Sequence, residues 1–338
     1  MTVTTLSTVE ADGDAVRSAM VDAVGRLDDA IRPVVAYHLG WCDEHGRPVA
    51  ADSGKSVRSR LAMLAAHAAR GDEYRAVPGA VAVELVHNFS LVHDDLMDRD
   101  ATRRHRPTVW AVWGDAVAVL AGDAMLSLAH EVLLESGSPQ AVAAALLVGR
   151  ATQDLIRGQA ADVDFEHRND VRLAECIHMA AGKTAALLSA SAAVGAILAE
   201  APPVTVSALQ TYGSEIGLAF QLVDDLLGIW GDPAVTGKPV FSDLRSRKKS
   251  LPVTWSLESG RPAGRALAQW LAQPGAPAES ELRAAADMVE TAGGRRWARA
   301  EARRRVRGAQ RALDGADIDP RYRRELHRLA EFIVERSA

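Results

Sequence analysis

The chain has 338 residues, 48% of them apolar, and a formal net charge of -5. That length supports a large core, in one big domain or two smaller ones, and the acidic balance with only 5% aromatics argues against a nucleic-acid partner. Two cysteines, Cys42 and Cys176, lie far apart with no CxxC spacing, which argues against a disulfide framework or zinc site and fits a reducing cytoplasm.

The opening "MTVTTLSTVEADGD" has no basic start and no long apolar run, so no targeting signal is expected. Residues 1–13 read as a flexible tail before a single domain over 14–338. A helix is expected over 14–38. "GWCDEHGRPVAADSG" then reads as loop from its Gly and Pro punctuation. Helical patterns follow over about 57–70, 79–98, 116–136, 139–164 and 171–183, the last continuing to about 200. "EAPPVT" breaks the chain, and a helix covers about 204–230. "GDPAVTGKPVFSD" is loop, and the remainder is helical with Gly and Pro breaks. Strong helix formers abound and strand alternation is almost absent, so the fold class is all-α. The uncharged run "TAALLSASAAVGAILA" is shorter than the roughly 18 residues that argue for a membrane span. It reads as a packed internal helix, and no transmembrane segment is expected. "RRWARAEARRRVRGAQRAL" carries enough interspersed Ala and Glu to be a solvated helix face.

Residues 91–107, "LVHDDLMDRDATRRHRP", set Asp94, Asp95 and Asp98 at the end of an apolar helical run. Asp94 and Asp98 share one helix face, where bare like charges are destabilising. A hard cation would relieve them, and one or two carboxylates per ion favour magnesium, which takes its other ligands from water and substrate phosphate. A lone DDxxD also fits a solvated acidic helix end. Arg103 and Arg104 follow at once, and a guanidinium fork suits phosphate. A second run, "GLAFQLVDDLLGIWGD", ends in Asp224 and Asp225. Its fifth position is Gly228 rather than an acid, and Asp232 and Asp243 do not restore the spacing. The chain has only five lysines: Lys55, Lys183, Lys238, Lys248 and Lys249. Each lies beside small or loop residues, as phosphate-binding lysines would. No GxxxxGK[ST] occurs, so a Walker-type site is excluded.

In order, "GKSVR", "HNFSLVHDDLMDRDATRRHRP", "GKTA", "FQLVDD", "GKPVFSDL" and "KKSLP" resemble the motifs of the trans-isoprenyl diphosphate synthases, or polyprenyl synthetases, across about 14–330. The resemblance implies an all-α bundle around a deep central cavity, the type I isoprenoid synthase fold, usually as a homodimer. It implies that Asp94 and Asp98 bind magnesium and the allylic diphosphate, and that Asp224 with Asp225 completes a cluster of three magnesium ions. Lys55, Arg58, His87 and Arg104 correspond to the isopentenyl diphosphate pocket. Arg103, Lys183, Thr184, Gln221, Lys238 and Lys248 correspond to contacts near the allylic substrate. Three positions depart from the family pattern. Ser59 stands where Pro is usual, His105 where Gly is common, and Gly228 where the last acid of the second motif belongs.

The implied reaction is magnesium-dependent, head-to-tail condensation of isopentenyl diphosphate with an allylic diphosphate. The diphosphate departs, the double bond attacks the allylic cation, and a proton is lost, all away from water. Asp94, Asp98, Arg103, Lys183, Asp224 and Lys238 would carry the chemistry. Phe89 lies five residues before Asp94, about 7 to 8 Å deeper along the helix at 1.5 Å per residue. In the family one aromatic there, beside a small residue such as Ser90, stops growth near C20, so geranylgeranyl diphosphate is the expected product. Farnesyl or longer products are alternatives. A class I terpene cyclase, an HD-type phosphohydrolase suggested by His93-Asp94, and a non-catalytic partner subunit explain fewer of the motifs.

Overall fold

A computed structural model describes residues 3–49, 56–233 and 239–335. By their contacts the residues divide into two compact units with interleaved segments. The first holds Met1–Thr152, Ala190–Gln210 and Asp317–Tyr322; the second holds Gln153–Ser189, Thr211–Ala316 and Arg323–Ala338.

The first unit opens with α1 (Val3–Gly25) and α2 (Arg32–His38). Helix α1 therefore begins well before residue 14, because Gly13 inside it costs only about 1 kcal/mol against Ala. The single helix expected over 14–38 is two. The Asp28 carboxylate accepts from the Ala30 N–H at 2.8 Å in the intervening turn, and Pro33 cannot continue a preceding helix. Helix α3 (Val57–Ala68) leads through a 3-10 turn at Glu73–Ala76 into α4 (Val77–Met97). Residues 79–86 of α4 are all buried, so this helix is core on every side before it reaches its aspartates.

Two short strands, β1 (Thr102–Arg103) and β2 (Arg106–Pro107), then form an antiparallel hairpin. Its turn residues Arg104 and His105 have φ of 51° and 62°, the left-handed pair that a two-residue hairpin of this twist requires. Helix α5 (Val109–Trp113), α6 (Asp115–Leu134) and α7 (Ala141–Glu166) follow. Helices α4 and α6 pack closely where Gly122 leaves room for the His93 ring. A Cβ at Gly122 would stand 2.2 Å from His93 Nε2.

The second unit takes up the end of α7, then α8 (Leu173–Ala180), a π-helical turn at Ala181–Ala185, and the first residues of α9 (Ala186–Leu198), whose remainder belongs to the first unit. Helix α10 (Pro203–Trp230) begins at the Pro-Pro break. Helices α11 (Ser242–Arg245), α12 (Leu251–Glu258), α13 (Pro262–Leu271), α14 (Glu279–Ala292), α15 (Gly294–Asp314) and α16 (Pro320–Glu335) complete the chain. Ile229, Leu244, Val253, Leu267, Leu282 and Val289 form one buried cluster joining α10 to α14.

Among the described residues, two helical stretches are long and apolar enough to cross a membrane. In Leu173–Leu198, 67% of its most apolar 18-residue window is buried within the protein, as the packed-helix reading expects. In Asp115–Leu134 the corresponding share is 39%. That stretch carries Asp115, Asp123 and Glu131, and exposes Val119 and Leu120.

Candidate functional site

In the first unit, the last turns of α4 carry the first aspartate group. Asp94 is half-buried, Asp95 is buried and Asp98 is exposed where the helix ends, its N–H donating to the Asp94 carbonyl at 2.8 Å. Asp95 points to the hairpin. Arg103 Nε donates to Asp95 Oδ1 at 2.8 Å, and Arg103 Nη2 lies 2.8 Å from the same oxygen. Burial works against the Arg103 charge, but the bond and ion pair to Asp95, with Asp94 and Asp100 nearby, raise its pKa above the usual value. Arg103 is thus held in place by a buried carboxylate. The hairpin itself is anchored by Arg106, whose guanidinium stacks 4.2 Å from the Tyr37 ring centroid and donates to the Tyr37 and Cys42 carbonyls. A crevice of about 40 Å³ is lined by His38, Asp95, Arg103, Arg104 and Arg106.

Arg58 stands in the first turn of α3, and His87 lies one turn before Leu91 on α4. Burial lowers the Arg58 pKa to about 10, with Glu84 partly compensating. Its Nε has no hydrogen-bond partner among the described residues. Burial, then the charges of Arg58, Arg104 and Arg103, push His87 well below the ordinary histidine value. His38 is driven down to about 3 by burial and by the same two hairpin arginines. These are the marks of a concentrated positive field, suited to an anion. Lys55, expected beside Arg58, lies outside the described residues.

Phe89 is buried and meets His93 edge-on, with ring centroids 4.9 Å apart. His93 Nε2 in turn donates to the Val119 carbonyl of α6 at 3.1 Å. Ser90 is buried, and its hydroxyl donates to the His87 carbonyl at 2.8 Å.

In the second unit, the π-helical turn presents Lys183 and Thr184. Such turns accompany functional sites because they re-aim side chains that a regular helix would place elsewhere. The turn rests on α7 at Gly158, where a Cβ would stand 2.2 Å from the Lys183 nitrogen. One turn further along α7, Asp162 Oδ2 accepts from Lys183 Nζ at 2.6 Å and lies 3.8 Å from Lys248 Nζ. Burial opposes the Asp162 charge, but Lys248 and Lys183 win and lower its pKa. Burial likewise opposes the Lys248 charge, yet Asp162, Asp243, Asp225 and Asp224 raise its pKa. Sequence reasoning missed Asp162; its only signal is an acid one turn beyond Gly158 on a well-packed helix.

Asp224 is exposed on α10 and Asp225 is buried. The two therefore divide their work. Asp225 is a framework group: its Oδ1 accepts from Gln221 Nε2 at 2.7 Å and its Oδ2 from the Leu251 N–H at 2.8 Å, at the start of α12. Burial pushes its pKa up to about 7. Thr184 Oγ1 donates to Gln221 Oε1 at 2.5 Å, so one chain of bonds runs from the π turn to the "KKSLP" segment. Gly228 is explained by Asp243. A Cβ at Gly228 would come 2.4 Å from the Asp243 carboxylate, which fills the space beside the missing acid. Spacing along the chain concealed this, because Asp243 arrives from α11. Lys238 lies outside the described residues.

Among the described residues no group of three His, Cys, Asp or Glu side chains could hold an ion alone. The candidate donors are carboxylates in ones and twos, which is the set magnesium accepts when water and phosphate oxygens supply the rest.

The sequence profile described as polyprenyl synthetase matches residues 40–289. A (2E,6E)-farnesyl diphosphate synthase of Mycobacterium tuberculosis is 58% identical, over 100% of this chain and 95% of its own. A geranylgeranyl diphosphate synthase of the same species is 43% identical, over 93% of this chain and 89% of its own. The crystal structure of a polyprenyl synthetase from Streptomyces coelicolor A3(2) superposes with a TM-score of 0.92 at 47% identity, covering 97% of this chain and 99% of the other.

Proposed function

The chain belongs to the polyprenyl synthetase family, transferases that elongate prenyl chains, and we propose that its main product is farnesyl diphosphate, C15. The observation that carries this is the 58% identity to a farnesyl diphosphate synthase over the whole chain. It outweighs the C20 product expected from Phe89 as a single aromatic. The geranylgeranyl reading stays as the second, supported by Phe89 and by the relative at 43% identity. Sizing the products made from isopentenyl diphosphate and dimethylallyl diphosphate separates the two.

In this reading Arg58, His87 and Arg104, with Lys55, receive isopentenyl diphosphate. His87, neutral in the free protein, contributes a hydrogen bond rather than a charge. Arg103, braced by Asp95, and Lys183 and Lys248, braced by Asp162, receive the allylic diphosphate, joined by Thr184, Gln221 and Lys238. Such fixed cations stabilise charge as it develops on the leaving diphosphate without having to reorganise. Magnesium, when bound, adds Lewis-acid neutralisation of that charge; Asp94, Asp98 and Asp224 are the carboxylates that would hold it. The allylic carbon–oxygen bond breaks, the isopentenyl double bond attacks the carbocation, and the proton lost passes to the departed diphosphate. Water must be excluded meanwhile.

We also propose a homodimer. Leu120, Leu134, Val142 and Leu146 are each more than half exposed on α6 and α7, a cost that a second copy would remove. Light scattering should give twice the chain mass; a monomer at working concentration would contradict it. The two cysteines are buried free thiols, in keeping with the cytoplasmic setting we propose.

A further inference from the structure

The start of α3 lacks its own cap. Its N-cap residue, Ser56, has a left-handed backbone with φ 42° and makes no side-chain capping bond. The N–H groups of a helix's first turn have no partner within the helix. Here a neighbouring helix supplies one. Glu84 of α4 is only 8% exposed, and its Oε1 accepts from the Ser59 N–H at 3.0 Å. The Ser59 hydroxyl lies 3.0 Å from that oxygen and 3.0 Å from the Ser56 carbonyl, sharing one proton between them. A carboxylate at a helix N-terminus also meets the positive end of the helix dipole.

The turn capped in this way holds Arg58, and the helix that caps it holds His87 three residues after Glu84. Glu84 thereby sets the position of one anion-binding residue relative to the other. Residue 59 matters in this. A proline there would have no N–H to donate, and it would disfavour a helical backbone at Arg58. With serine, α3 begins at Val57 and Arg58 is already helical.

We propose that Glu84, through Ser59, is a positioning residue for isopentenyl diphosphate: it caps α3 from outside and fixes the Arg58 turn against His87. This rests on the reading of Arg58 and His87 as the isopentenyl diphosphate pocket. Glu84 itself does not touch substrate in this role.

The sign of the effect makes the test sharp. If Glu84 were only a negative charge beside a cationic pocket, removing it would strengthen diphosphate binding. If it positions Arg58, removing it weakens binding. In steady-state kinetics, Glu84→Ala should raise KM for isopentenyl diphosphate about tenfold, the scale of one charge-assisted hydrogen bond. KM for the allylic substrate should stay as it is. Glu84→Gln keeps an acceptor oxygen and should return most of the loss. Ser59→Ala loses only the shared hydroxyl and should raise the same KM by roughly two- to threefold. If Glu84→Ala does not fold, the Ser59→Ala value decides the matter. A KM for isopentenyl diphosphate that is unchanged or lower in Glu84→Ala and Ser59→Ala, or that rises equally for both substrates, overturns the proposal and leaves the assigned reaction standing. No isopentenyl-dependent turnover by the unaltered protein overturns both.

Discussion

At the residue scale, the three departures from the family pattern are each answered by a neighbour or a backbone angle. Ser59 gives Glu84 two donors. His105 occupies a left-handed position, which a non-glycine residue adopts at a cost of about 1 to 2 kcal/mol. His105→Gly should therefore raise the thermal midpoint, and an unchanged or lower midpoint would show that the His105 side chain has a stabilising contact of its own. Gly228 faces the Asp243 carboxylate. Restoring the acid with Gly228→Asp should destabilise the protein by roughly 1 to 3 kcal/mol through crowding, to which like-charge repulsion adds. Denaturation of that variant and of Gly228→Asp/Asp243→Gly should show the second change recovering stability; additive losses would contradict the account. His38 gives a pH signature. Its folded value near 3 lies below the ordinary value of about 6.5, so under pH 6.5 the unfolded chain takes up a proton that the folded chain refuses. Stability should fall as pH drops from about 6.5 toward 3, with no His38 contribution above that window. His38→Gln should flatten this fall in urea midpoints, and an unaltered slope would assign it to other groups.

At the element scale, the helices were readable from periodicity, whereas the devices that aim them were not. The apolar run before Asp94 gave α4 within two residues of its observed ends, 79–98 against Val77–Met97. The break between α1 and α2 was hidden, because Arg26 to Ile31 look helical in composition and only the Asp28 turn and Pro33 end the run. The π-helical turn at Ala181–Ala185 was also hidden: "AGKTA" is ordinary helix by propensity, and its bulge follows from the approach of Gly158. Site residues with charge in a recognisable spacing could be read directly. Asp162, Asp243 and Glu84 could not, because each acts on a residue 21 or more, 15 or 25 positions away in the chain. Asp162→Asn tests the element directly. It leaves Lys183 and Lys248 without their shared carboxylate, and a charge-assisted bond of this kind is worth about 1.5 to 3 kcal/mol. Allylic-substrate kcat/KM should fall at least about tenfold. A value near that of the unaltered protein would show that the lysines do not need this anchor.

At the scale of the whole molecule, family membership secures the fold and the type of chemistry, and the product length is where sequence reading and comparison part. Phe89 alone pointed to C20. Its ring is not a free-standing plug, however, since it packs on His93, which is seated over Gly122 and bonded to Val119. Under the proposed farnesyl reading, a Phe89 braced this way is the side chain that would resist a growing product chain. Phe89→Ala should shift products toward longer chains by mass, and an unchanged profile would remove Phe89 as the stop. Asp94→Ala should abolish turnover and weaken magnesium-dependent binding of the allylic substrate. The most direct test of chain elongation itself is to incubate the protein with magnesium, isopentenyl diphosphate and each allylic diphosphate in turn, and to size the products by mass. Farnesyl diphosphate from both dimethylallyl and geranyl primers is the predicted result; no condensation with any primer, or hydrocarbon released from an allylic diphosphate alone, would contradict it.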